Sequence, residues 1–285
     1  IFTRIDSSQY RLVSQHNVST DLRFERPKPV ALDADGDGAD EVAIVYASND
    51  SLFIEVVGSS GDLFVRRHLY AARDVNSDGI AEIGGLVSAA INVDADDYLE
   101  LVVQVISGYD KWPRAVVLYD WHADSVLWTF DVPSVSLGLG VSLLVAPSPQ
   151  SDTAVCFVTS SVCNGHTVGP WDDCHCYLLC LDLRGNLRWH RTLGGQHANC
   201  QAVSVAGDRS HTRIIANRVA DSIAGTSNLL YTYDIDGNVR DSLVLHAPLH
   251  HLASFTESGG NGPIVIASLD DNTALVLSDS LRVLY

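Results

Sequence analysis

Apolar residues in this chain come in short β-branched runs, bounded by Gly, Asn and Asp. Val42-Ala-Ile-Val-Tyr46 and Leu101-Val-Val-Gln-Val-Ile106 are the clearest, and similar runs begin at Ala154, Ile214 and Ile264. Runs of this length and composition read as strands rather than helices. Their starts are 59, 53, 60 and 50 residues apart, so the chain repeats a unit of 50–60 residues. Within each of the first four units a second pair of strands is closed by a tight turn. The turns are Gly58-Ser-Ser-Gly61-Asp62, Trp121-His-Ala-Asp124, Leu183-Arg-Gly185-Asn186 and Ile235-Asp236-Gly237-Asn238. Gly and Asn there supply the positive backbone angles that hairpin turns require. The pattern predicts an all-β chain of repeated four-stranded antiparallel units.

Acidic loops interrupt this pattern three times at one spacing. The first is Asp33-Ala-Asp35-Gly-Asp37-Gly-Ala39-Asp-Glu41, the second Asp74-Val-Asn76-Ser-Asp78-Gly-Ile80-Ala-Glu82 and the third Asn92-Val-Asp94-Ala-Asp96-Asp-Tyr98-Leu-Glu100. Alternate residues of a tight loop face its concave side, so the oxygens at positions 1, 3, 5 and 9 converge. A hard cation such as Ca2+ takes 6–8 oxygens at about 2.3–2.6 Å. The expected ligands are the side chains of Asp33, Asp35, Asp37 and Glu41 with the Ala39 carbonyl; of Asp74, Asn76, Asp78 and Glu82 with the Ile80 carbonyl; and of Asn92, Asp94, Asp96 and Glu100 with the Tyr98 carbonyl. Strands flank the loops, which excludes an EF-hand with its paired helices and Glu at position 12. The corresponding segments 207–212 and 258–263 lack the acidic ladder and are expected to be metal-free.

The strand–acidic loop–strand unit resembles the calcium-binding repeats of the FG-GAP/VCBS family, found in integrin α-chain-like β-propellers. Tyr119-Asp120 to Trp128 and Leu181-Asp182 to Trp189 resemble the Leu-Asp-x-x-Gly-x-x-x-Trp hairpins of quinoprotein-like blades. The resemblance implies a single β-propeller domain over 1–285, with four-stranded antiparallel blades numbering five to seven. The Phe-Gly and Gly-Ala-Pro elements of the family are missing, and the second and third loops start only 18 residues apart. That interval predicts a reduced blade or missing residues between them.

Charge narrows the range of partners. The 285 residues carry a formal net charge of −17, from 18 Lys+Arg against 35 Asp+Glu. Such an excess repels nucleic acid and anionic membranes, and no basic patch offsets it. No apolar run approaches 18 residues, so direct membrane insertion is not expected. No signal peptide precedes Ile1 and the chain has no Met, which points to a mature or excised piece.

Six cysteines fall between Cys156 and Cys200 without paired C-x-x-C knuckles. Strands near 154–159 and 176–182 are expected to form a hairpin, in which facing residues have a constant index sum. Cys156 with Cys180 gives 336 and Cys163 with Cys174 gives 337, so one register places both pairs within disulfide reach. Cys176 and Cys200 are not assigned by this register. Disulfides point to an extracytoplasmic location, whether periplasmic, secreted or cell-surface. The eleven histidines accompany no His-Glu-x-x-His, Gly-x-Ser-x-Gly or phosphate-cradling motif.

These features predict a calcium-stabilised binding, sensor or adhesion module without catalysis. The alternative is a propeller enzyme, polysaccharide lyase-like or quinoprotein-like. In an up-and-down blade the calcium loops and the short turns share one face. The long connections 107–114, 160–175 and 217–228 then emerge on the other. They carry Tyr109, Trp112, Arg114, His166 and Trp171, residue types enriched at binding hot spots. A protein or glycan ligand is expected there, opposite the calcium loops.

Overall fold

The computed structural model describes residues 2–4, 10–12, 29–33, 37–48, 51–58, 60–74, 77, 79, 82–94, 96, 98–107, 112–134, 144–145, 154–195, 200, 202–205, 213–218, 228–256 and 263–285. The chain divides into two compact units, Ile1–Asp131 and Val132–Tyr285. Every regular element among the described residues is a strand. Among the described residues no helix is long and apolar enough to cross a membrane.

The first unit opens with a hairpin of β1 (Phe2–Arg4) and β2 (Tyr10–Leu12). Two four-stranded antiparallel sheets follow. One contains β3 (Val30–Leu32), β4 (Glu41–Ser48), β5 (Ser51–Val57) and β6 (Leu63–Ala71) in chain order. The next contains β7 (Gly84–Ile91), β8 (Glu100–Ile106), β9 (Ala115–Asp120) and β10 (Ser125–Asp131), also in order. All seven residues of β8 and all six of β9 are buried, whereas β6 and β10 alternate towards solvent. The second and third strands are thus covered on both faces and the fourth lies outermost, which explains the continuous apolar runs at 42 and 101. Between the two sheets Val45, Ile54 and Val56 pack with Val87, Leu101, Val103 and Val105. Burying each such side chain contributes about 1.5–3 kcal/mol. Gly85 permits the close approach, because a Cβ there would stand 2.7 Å from Val45 Cγ1 and 2.9 Å from the Gln104 carbonyl oxygen.

Among the described residues the second unit holds three larger sheets and one two-stranded sheet. β11 (Leu144–Val145), β12 (Ala154–Val158), β15 (Cys176–Asp182) and β16 (Leu187–Gly194) form the third, and the hairpin β13 (Thr167–Val168) with β14 (Trp171–Asp172) rises from its long connection. The fourth is β17 (Ala202–Val205), β18 (Arg213–Arg218), β19 (Leu229–Tyr233) and β20 (Val239–Val244). The fifth has three strands, β21 (Leu249–Thr256), β22 (Pro263–Leu269) and β23 (Ala274–Ser278). Ile214 and Ala216 of β18 face the core shared with the third sheet, while Ile215 between them faces the core shared with the fifth. This period-2 alternation stacks one sheet face on the next.

One turn type recurs between the third and fourth strands of successive sheets. At 182–186 the Asp182 carboxylate accepts the N–H groups of Arg184 and Asn186 and the Asn186 amide, while Gly185 N–H returns to the Asp182 carbonyl. Asp234, Asp236, Gly237 and Asn238 repeat the same bonds. The left-handed position is taken by Gly61, Asp124, Gly185 and Gly237 in the first four sheets and by Asn272 between β22 and β23.

The first and third acidic loops join first to second strands, β3 to β4 and β7 to β8. The second does not: residues 74–82 connect β6, the outermost strand of one sheet, to β7, the first of the next. The interval of 18 residues therefore spans a single strand, and no reduced blade is required. Segments 207–212 and 258–262 lie outside the described residues.

Candidate functional site

In the third acidic loop, carboxylate oxygens of Asp94, Asp96 and Glu100 all lie within 4.8 Å of one another. Oxygens bound to one hard cation at about 2.4 Å can stand at most about 5 Å apart, so the spacing fits a single ion. Glu100 is fixed as the first residue of β8, 1% exposed, with Oε2 accepting Val93 N–H at 2.7 Å. Asp94 Oδ1 accepts Asp96 N–H at 3.0 Å, and Asp96 Oδ1 accepts Tyr98 N–H at 2.9 Å. The Asn92 amide donates to the Asp96 carbonyl at 2.8 Å, locking the loop's start. Burial first, then the charges of Asp94 and Asp96, push the Glu100 carboxyl above its ordinary value. Among the described residues no basic side chain is ion-paired with these three acids. The donor set, all oxygen and uncompensated, is that of a hard cation site.

The other two loops repeat parts of this geometry. Gly38 N–H donates to Asp33 Oδ2 at 3.1 Å, and Gly79 N–H donates to Asp74 Oδ2 at 2.7 Å, each running from position 6 to position 1. Both glycines have φ near +87°. Ala39 N–H donates to Asp37 Oδ1 at 2.7 Å, matching the bond from Tyr98 to Asp96. The second oxygen of Asp33, Oδ1, is buried without a hydrogen-bond partner among the described residues. An unsatisfied buried carboxylate oxygen is costly unless a cation takes it. Glu41 is 2% exposed at the start of β4, in the position of Glu100 on β8, and Glu82 is half-buried. Asp35, Asn76, Asp78 and Ile80 lie outside the described residues.

Beside the third loop stands an aromatic group with no signature in the spacing of the chain. Tyr98 stacks on His122 with centroids 3.7 Å apart and meets Trp121 edge-on at 5.6 Å. Trp121 in turn stacks on Phe64 of the preceding sheet at 5.9 Å. The loop and the turns at 58–62 and 121–124 therefore share one end of the first unit.

The opposite end of that unit carries Trp112. It is half-buried, edge-on to Tyr70 at 5.8 Å, with the Arg73 guanidinium 4.9 Å above its ring. Arg73 leads directly into the second acidic loop, so that loop begins on the Trp112 side and not with the other two. Arg114 is 2% exposed, and its Nε donates to Ser107 Oγ at 3.4 Å; it braces the connection from within. Tyr109 lies outside the described residues.

In the second unit, Cys163 and Cys174 are disulfide-bonded at the base of the β13–β14 hairpin. The fully buried Asp173 organises this connection: its carboxylate accepts Asn164 and Gly165 N–H, and its carbonyl accepts Val162 and Cys163 N–H. Trp171 meets His190 edge-on at 5.5 Å, and the His166 carbonyl accepts Asp173 N–H at 3.1 Å. His175 Nδ1 lies 2.6 Å from Asp172 Oδ1, a pair legible only as an i, i+3 spacing. Cys156 and Cys180 face each other across β12 and β15 with Sγ atoms 2.6 Å apart, as the index sum of 336 requires. The register sum of 336 holds along β12 and β15, whereas β13 and β14 pair at 339. Cys163 and Cys174 thus meet in a separate local turn, not in the main hairpin's register.

No protein-family model matches the chain, and no curated protein matches it. Solved structures do. BBS1N, in its complex with ARL6DN, has a TM-score of 0.54 at 12% identity, over 89% of this chain and 66% of that one. BamB from Moraxella catarrhalis has 0.51 at 16%, over 93% and 62%. The exotype rhamnogalacturonan lyase YesX has 0.50 at 13%, over 84% and 49%. The chain thus spans less than two thirds of the length of these structures. With the repeated four-stranded antiparallel sheets, the likenesses show the fold, a β-propeller.

Proposed function

We propose that the chain is a calcium-braced β-propeller acting outside the cytoplasm as a non-catalytic ligand-binding module, in sensing or adhesion. The observation that carries this reading is the convergence of Asp94, Asp96 and Glu100 within 4.8 Å. The buried Asp33 Oδ1 and the matching Gly-to-Asp bonds support the same role for the other loops. Asp33, Asp37, Glu41, Asp74, Glu82, Asp94, Asp96 and Glu100 would hold Ca2+, which would neutralise clustered charge and fix the loops between strands. The disulfide at Cys163–Cys174 favours an oxidising compartment.

Trp112 of the first unit and Trp171 of the second are separate candidate anchors for a protein or glycan ligand, each half-buried on a long connection of its own unit. Because loop two starts at Arg73 beside Trp112, its cation would lie on the Trp112 side, a change from a ligand end wholly opposite the calcium loops. The competing reading, a lyase-like propeller enzyme, shares its fold with YesX, and fold does not fix activity.

Thermal melting in Ca2+ and in chelator tests the brace. Each site filled at a hundredfold excess over its dissociation constant should add about 2.7 kcal/mol. An unchanged midpoint removes the reading. Cleavage of acidic polysaccharide by the calcium-loaded chain would replace it with the enzymatic one.

A further inference from the structure

Cys176 opens β15 with its side chain fully buried, and Cys200 lies 2% exposed just ahead of β17. Both belong to the apolar cluster between the third and fourth sheets, which also takes in Cys156 and Cys180. Residues 176, 178 and 180 share one face of their strand. Cys176 and Cys180 therefore point the same way about 13 Å apart along β15, at roughly 3.3 Å per residue. That separation divides the four sulfurs into two pairs. It excludes one four-thiolate metal site, whose sulfurs would all lie about 2.3 Å from a single ion. One pair is Cys156 with Cys180, facing across the sheet. In the other, Cys200 hydrogen-bonds the Cys176 sulfur deep in the core, with Ser161 as a further partner.

We propose that Cys176 and Cys200 form a disulfide that staples β15 of the third sheet to the approach to β17 of the fourth. The oxidant is an exchangeable disulfide, of the glutathione or thiol-oxidoreductase class. The Cys176 thiolate attacks it and releases one thiol. The Cys200 thiolate then displaces the second thiol from the mixed disulfide, so the acceptor gains two electrons and two protons as the new S–S bond forms. Both sulfurs are sealed in the folded core, so the exchange precedes closure of that core and the finished bond is shielded from reductant. This staple is independent of any cation and would persist if the calcium reading failed.

Disulfide mapping of the wild-type chain tests the proposal. The reduced, unfolded chain is refolded in a mixture of reduced and oxidised glutathione, then unfolded in guanidinium with excess N-ethylmaleimide and no reductant. Chymotrypsin, which cleaves after Tyr177, separates Cys176 from Cys180, and tandem mass spectrometry distinguishes Cys176 from Cys174. The expected product is a Cys176 peptide joined to the Cys200 peptide, with neither residue labelled. Maleimide on both residues, or Cys176 joined to any other cysteine, overturns the proposal. The map is read on the unaltered sequence, so it does not depend on a cysteine variant folding.

Discussion

The indole N–H of Trp189, on the outermost strand β16, donates a 2.8 Å hydrogen bond to the carbonyl of Ile235 in the turn of the following sheet. Gly237 lies directly under the ring, where a Cβ would stand 2.6 Å from it. The first unit docks its sheets by the same means, with Phe64 of β6 stacked on Trp121 in the next turn. Truncating Trp189 to Ala should cost about 3 kcal/mol or more through lost packing. Trp189→Phe should retain most of the packing and cost about 1 kcal/mol for the unmet Ile235 carbonyl. Chemical denaturation of both variants separates the two contributions.

Two glycines with similar backbone angles should respond differently to alanine. Gly38 has φ +87° and open space around it, so Gly38→Ala should cost only the backbone strain, about 1–2 kcal/mol. Gly237 has φ +76° and the Trp189 ring in its path, so Gly237→Ala adds a clash to the strain. Equilibrium unfolding should rank Gly237→Ala well below Gly38→Ala in stability. Equal losses would show that the ring moves aside without cost.

A pH dependence follows from Asp124. The Tyr119 hydroxyl donates to its Oδ1 at 2.7 Å and Arg67 pairs with the same oxygen at 3.1 Å, which together hold the carboxyl below its ordinary 3.8. A depressed folded-state pKa stabilises the fold above the unfolded value, and that contribution is lost as the pH falls through the folded one. Wild type should therefore melt above Asp124→Asn at neutral pH, and the gap should close below pH 3.8. Asn accepts the positive φ of 49° at this position, so the comparison isolates the charge.

Within the third loop, Asp96→Asn retains an acceptor for Tyr98 N–H while removing one of three crowded charges. Calcium affinity measured by calorimetry should fall tenfold or more. In chelator the variant should melt at or above the wild-type midpoint, because fewer carboxylates repel one another there. A lower midpoint in chelator would assign Asp96 a structural role without the ion.

Removing Trp112 or Trp171 tests the ligand-binding connections. Each change to Ala should weaken binding of a cognate protein or glycan while leaving calcium affinity at the first and third acidic loops intact. Trp112→Ala should also release Arg73 and Tyr70, a modest stability loss visible in the same melt. A large loss of stability with unchanged binding would make the tryptophans structural.

The strands were legible because Val42–Tyr46 and Leu101–Ile106 sit on interior strands, where burial on both faces leaves an unbroken apolar run. The turns were legible because only Gly, Asn or Asp takes the left-handed corner comfortably. The facing of Cys156 and Cys180 followed from the constant index sum of an antiparallel pair. Arg114 was not legible as an interior residue, since its burial rests on contacts such as the one with Ser107 that no local pattern encodes. Nor was the path of residues 74–82: periodicity marks a loop between strands but does not say whether those strands share a sheet. The stack of Tyr98 on His122 joins a loop to a turn 24 residues further on, a separation at which spacing carries no signal.

The alternating outer strands have a consequence for how copies of this molecule behave together. β6, β16 and β20 each end their sheet, which exposes backbone donors and acceptors to any strand that approaches. Arg66 and Arg67 lie on β6, Arg188 and Arg191 on β16, and Arg240 on β20. Two such edges meeting side by side would have to displace these long charged side chains, of which Arg66, Arg67 and Arg240 are held in ion pairs with Glu55, Asp124 and Asp234. An acidic protein with few cations has thus placed several of them where they obstruct runaway strand-to-strand polymerisation.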